Sequence, residues 1–267
     1  MLYNLDVFKI GVYMENKEKF RLLFIIIYVL GMLLLGTLFI MLFMVILAPI
    51  NNVDTANVMK VILSSKAEIT EEEYNVAYMA QGFGNATMYL VLFVFSILLL
   101  KNDFKEDFIG LKNNRKFYII YIIISMVLFT GIAFLLSYLV GLKVTDSQNQ
   151  TSIVRMMKTG AMIPMIISTV IFAPVVEEMV YRKCVFYYCR NFKIYVRYIL
   201  SIILFVFPHV ITSIGKFSTG DYFLMLMPYV ADAFMLALIY HKGKYNIYTS
   251  IICHIANNLL AVILVFI

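Results

Sequence analysis

The segment APVVEEMVYR (Ala173–Arg182) sets two adjacent carboxylates and a guanidinium at the end of a long apolar run. An acid at the centre of a membrane span costs roughly 2.5–3.5 kcal/mol on insertion scales, so such groups are rare and usually functional. On a helix Glu178 and Arg182 are four apart and meet, whereas Glu177 projects about 100° away towards another neighbour. Two of the three histidines also sit in apolar runs, His209 in ILFVFPHVITS and His254 in TSIICHIANNLLAV, where His254 shares a face with Asn258. A carboxylate in a low-dielectric cavity can serve as general base or acid, and donors aimed at a developing oxyanion stabilise it. Glu177, His209 and His254 also form a chemically reasonable three-ligand Zn2+ set with an open fourth position, leaving Glu178 as base, although no HExxH is present.

Each residue alone has a plainer reading. An interfacial glutamate snorkels to solvent, a span histidine packs through hydrogen bonds, and Asn257 and Asn258 can hold helices together. Asp232 suits a packing or interfacial position, and His241, in the HKGK turn, reads as a solvated loop histidine. The conjunction carries the weight, because two glutamates, two histidines and an amide on three nearby spans are a costly set to keep without a use.

The elements that must position this set are membrane helices. Of 267 residues 63% are hydrophobic and only 14% charged, with mean hydropathy +0.89, which leaves a soluble domain too little polar surface. The expected fold is all-α, a polytopic transmembrane bundle of about seven spans (about six to eight), with the catalytic core in the last four. The candidate spans are residues 22–49, 77–100, 117–142, 161–181, 198–214, 222–240 and 245–267; the second is diluted by Gln81, Gly82, Gly84 and Asn85. The first reads as an anchor rather than a cleavable signal peptide, being long and preceded by a charged segment.

Lys and Arg concentrate on alternate connections, which sets the N-terminus inside and the C-terminus outside an integral membrane protein. Short basic loops suit a bacterial cytoplasmic membrane. The net charge of +6 is therefore mostly a topology signal, and its scatter argues against nucleic-acid binding. Cys184, Cys189 and Cys253 suggest no disulfide framework.

The chain divides into an N-terminal transmembrane region, 1–160, and a core, 161–267. Spans of the first region carry almost no polar residues, so function is expected in the second. The acidic connection Asn51–Asn75 reads as a solvated connector. The segment Lys101–Lys116, basic with Phe104, Phe108 and Leu111 interleaved, suits anionic inner-leaflet lipid. Pro174 and Pro208 each remove a backbone hydrogen bond and can kink their helices to open a polar cavity.

EEMVYR (Glu177–Arg182), FVFPH (Phe205–His209) and HIANN (His254–Asn258) resemble, in order and spacing, the EExxxR, FxxxH and HxxxN motifs of the CPBP family of intramembrane proteases. That family includes the CAAX prenyl endopeptidases and bacteriocin-processing and self-immunity proteins; the likeness runs from Met162 to the C-terminus. It implies that Glu177 and His209 activate a water for attack on a peptide carbonyl. His254 and Asn258 would stabilise the oxyanion, and Glu178 with Arg182 would support the site. Lys183 departs from the glycine that often follows the arginine, and would tighten or charge the cavity mouth. The resemblance has been read both as metal-dependent and as metal-free, so Zn2+ stays open as a cofactor. The implied partners are a peptide or protein substrate and membrane lipid, with other subunits left open. The substrate would be cut near the cytoplasmic face. Two further readings remain: a non-catalytic immunity or scaffolding protein of the same fold, and a proton-coupled transporter, which the lack of internal repeats disfavours.

Overall fold

Hydropathy dictates the elements, and the regular structure of the described residues is entirely helical. The computed structural model describes residues 2–63, 69–141, 148–211 and 219–266. Helix α1 reaches membrane length over Glu15–Ile50, α2 is Thr55–Ile62, and α3 is Glu71–Leu99. Then follow α4 (Lys101–Asn113), α5 (Arg115–Gly141) and α6 (Gln148–Met157). The C-terminal part comprises α7 (Met162–Tyr188), α8 (Ile194–Val210), α9 (Thr219–Lys242) and α10 (Ile247–Val265). Six of these helices are long and apolar enough to span a membrane. The fifth predicted span, 198–214, corresponds to α8, whose 17 residues rise only about 25 Å. Predicted positions 142, 212–214 and 267 lie outside the described residues.

The α3 glycines have a packing reason. A Cβ on Gly84 would stand 2.6 Å from Ile40 Cγ1 and 2.7 Å from the Ile40 backbone nitrogen of α1. One on Gly82 would stand 2.7 Å from Ala161 Cβ and 3.2 Å from Met165 Cγ at the start of α7. Without a Cβ, α3 seats itself between α1 and α7, the small-residue route to helix contact in lipid. A tilted ring pair, Phe93 with Phe172 at 5.0 Å between centroids, fixes α3 against α7 further along.

Two connections pack on protein. Asn51–Asn75 is a packed cap rather than a solvated connector in its described part. Asp54 accepts from the Ala56 amide at 2.8 Å to start α2, Val58 is buried, and Thr70 with Glu73 forms a capping box at the start of α3. The basic segment after α3 docks on protein through its acids. Asp103 of α4 is buried and takes a bidentate Arg21 at 2.5 and 3.1 Å, with Lys17 at 3.0 Å. Phe104 and Leu111 pack against the core, while Phe108 and Ile109 are exposed. Burial opposes the charge of Asp103, yet Arg21, Lys183 and Lys17 together hold its carboxyl below the usual range. At Asp107 burial wins and raises the carboxyl, despite Lys183 and the Ile247 amide.

Candidate active site

The two glutamates lie in a short α-helical stretch, Ala173–Glu178, between two π-helical ones, Ser168–Phe172 and Met179–Cys184. Such widened turns leave carbonyls in need of partners and recur at functional sites. Here Thr169 O accepts from Asn258 Nδ2 at 2.9 Å, and Tyr181 O accepts from Ser201 Oγ at 3.1 Å. Pro174 opens the α-helical stretch, where its missing N–H does least harm, so the local change in α7 is a pair of widened turns around the expected proline kink.

Glu178 and Arg182 meet as their spacing requires: Nε stands 3.3 Å from Oε2, both side chains fully buried. The contact is an ion pair that is not aligned as a hydrogen bond. Arg182 also donates to Ala233 O at 3.1 Å and lies 4.7 Å over the Phe205 ring. The other oxygen of Glu178 faces His254 Nδ1 at 3.1 Å. A carboxylate accepts, so Nδ1 carries the proton and Nε2 is left for the cavity, 4.0 Å from Glu177 Oε2. Glu177 is 4% exposed, and its Oε1 accepts from the Tyr89 hydroxyl at 2.9 Å.

His209 sits near the end of the short α8, one residue after Pro208. Its Nδ1 donates to Phe205 O at 2.8 Å, and its ring stacks on Phe205 at 5.0 Å. That fixes the tautomer and again leaves Nε2 available. Phe205 is the packing hub, touching His209, His254 and Arg182 with its faces and edges.

Glu177, His209, His254 and Asn258 line one cavity of about 580 Å³, joined by Asn257 and Asp232. Asp232 lies within electrostatic reach of both His254 and Arg182. Glu178 and Arg182 stand behind this lining as supports. Among the described residues no three His, Cys, Asp or Glu side chains come together as a metal-holding group, so Glu177, His209 and His254 as placed do not fit the zinc set, and no step below runs through a metal.

Three expectations change. Lys183 does not charge the cavity mouth: it is buried, its Nζ paired with Asp107 Oδ2 at 2.5 Å. His241 is no solvated loop residue; it ends α9 with Nδ1 2.9 Å from the Tyr198 hydroxyl. The N-terminal region also reaches the site, through Tyr28 and Tyr89 on the cavity wall, which sequence reasoning missed. The available signal was Asn85 and Tyr89 on one face of α3, four residues apart and both on that wall.

Residues 159–260 match the family model described as Type II CAAX prenyl endopeptidase Rce1-like. The matched segment contains all three motifs and bears out the resemblance. Over those residues the chain is similar to CAAX-type endopeptidases. No curated protein and no solved structure matches the chain.

Proposed function

We propose that this chain, Rce1-like over its C-terminal part, is an intramembrane endopeptidase that hydrolyses a peptide bond with water activated inside the bundle. One observation carries the reading: Glu177, His209, His254 and Asn258 come from three helices far apart in sequence and line one cavity.

The chemistry follows from the distances. Four ångströms between Glu177 Oε2 and His254 Nε2 is too long for a direct hydrogen bond and suits one bridging water. Glu177 takes the proton of that water as its oxygen attacks the scissile carbonyl carbon. His254, its Nδ1–H held by Glu178 and backed by Arg182, accepts the second hydrogen of that water at Nε2 and so aims the water oxygen at the carbonyl carbon. Asn258 has one amide hydrogen on Thr169 O and a second for the developing oxyanion. A single donor of this type is worth on the order of 3 kcal/mol in a dry site. His209, with Nδ1 committed to Phe205 O, offers Nε2 for the proton relay to the leaving amine. The substrate is a membrane-associated peptide or protein C-terminus, cut near the cytoplasmic face.

The test compares peptides released by membranes carrying the wild type, Glu177→Gln, His209→Ala and His254→Ala at equal expression. Loss of the same products from all three variants is expected, in proteins that still insert. Full release by all three would leave the fold as a scaffold or immunity protein. A chelator arm reads metal dependence directly.

A further inference from the structure

Glu177 does not present two equivalent oxygens. Its Oε1 is occupied by the Tyr89 hydroxyl at 2.9 Å, and its Oε2 faces His254 Nε2 across 4.0 Å. A carboxylate torsion is broad and roughly two-fold, so an unrestrained Glu177 would exchange its oxygens and swing in the cavity. A single directional donor to one oxygen removes that freedom. The donor comes from α3, outside residues 159–260 that match the protease family, and so belongs to no motif of the C-terminal core.

The placement of Tyr89 is itself over-determined. Gly82 brings α3 against Ala161 and Met165, and Phe93, one turn beyond Tyr89, packs on Phe172 of the widened turn preceding the glutamates. Close by, Tyr28 of α1 does not compete for Glu177, because its hydroxyl lies 2.7 Å from that of Tyr181. Tyr89 has no other hydrogen-bond partner among the described residues, so its hydroxyl is committed to Glu177.

We propose that Tyr89 is a positioning residue for Glu177: its hydroxyl ties down Oε1 and leaves Oε2 as the atom that meets the attacking water. This rests on the proteolytic reading of the site. It also makes the N-terminal region part of the enzyme, supplying a contact that the three motifs of the core lack on their own.

Tyr89→Phe keeps the ring and removes only the hydroxyl. With a peptide whose release depends on Glu177, kcat is expected to fall about ten- to hundredfold, ~1.4–2.7 kcal/mol at 1.36 kcal/mol per decade, with KM within about twofold. In a Glu177→Asp background, whose shortened carboxylate no longer reaches the hydroxyl, Tyr89→Phe should cost nothing further. Tyr78→Phe, on the same helix but paired with Arg155, should leave kcat unchanged. An unchanged kcat in Tyr89→Phe, a loss carried by KM, or equal losses in both backgrounds would overturn the proposal. A second readout needs no turnover: the infrared carboxyl band lost in Glu177→Gln should shift in Tyr89→Phe. An unshifted band overturns the proposal even if proteolysis stands, whereas a shifted band with full cleavage by Glu177→Gln overturns the proteolytic reading that it serves.

Discussion

Arg182 carries more of the site's integrity than any group that touches the cavity. It is fully buried with Glu178, and between them they hold the proton on His254 Nδ1. Breaking a buried pair by removing one partner costs about 3–5 kcal/mol, because the charge left behind has no water. Arg182→Ala is therefore expected to lower the thermal midpoint in detergent sharply and to abolish cleavage. Arg182→Lys should recover little of either, since an ammonium cannot reach Glu178 and Ala233 O while covering Phe205. Equal midpoints for wild type and Arg182→Ala would contradict this. The pairing of Glu178 with Arg182 was legible in the sequence, because an i,i+4 spacing is local geometry. The division of labour between the glutamates was not: that Glu178 rather than Asn258 holds His254 depends on how α7 and α10 approach, and on widened turns that no residue pattern announces.

Helices α3 and α4 explain why the first half of the chain matters to a site whose motifs lie in the second. Gly84→Ala would drive a methyl into the Ile40 backbone, and backbone cannot yield as a side chain can. A loss of about 1–3 kcal/mol is expected, as for overpacking in a filled core, measured by denaturation in micelles; unchanged stability would show that α1 and α3 stand further apart. Helix α4 clamps the end of the bundle where Arg182 and Lys183 lie. Asp103 binds Arg21 and Lys17 of α1, and Asp107 binds Lys183 of α7 and the Ile247 amide that starts α10. The carboxyl of Asp103 is held below its ordinary value of 3.8, so the unfolded chain binds its proton more readily. Its stabilisation is present above that value and is lost as pH falls through the lower folded one. Acid should loosen α4 in hydrogen exchange, and Asp103→Asn should remove that acid dependence; an identical pH profile in the variant would refute the clamp. The protein-facing side of α4 was not legible, because a lone sequence does not show which acids will find buried arginines and lysines.

Across the whole molecule, span number and position were legible because hydrocarbon thickness and apolar length are coupled directly. All seven candidate runs fall on helices, with ends up to seven residues from expectation. What escaped was lateral packing, which in a bilayer depends on small residues and polar contacts rather than on hydropathy. Orientation is the untested part. With the N-terminus inside, Lys60→Cys in α2 should react with a membrane-impermeant thiol reagent in intact cells, and Lys112→Cys in α4 should not. The native cysteines Cys184, Cys189 and Cys253 are buried, which keeps the background low. The reverse labelling pattern would invert the topology and put the α4 end of the bundle outside.

The most direct test of the account is the release of peptide termini by membranes holding wild type or Glu177→Gln at matched levels, read by mass spectrometry. The account predicts products from the wild type alone, with both proteins equally folded by thermal midpoint. The same products at the same rate from Glu177→Gln would contradict it.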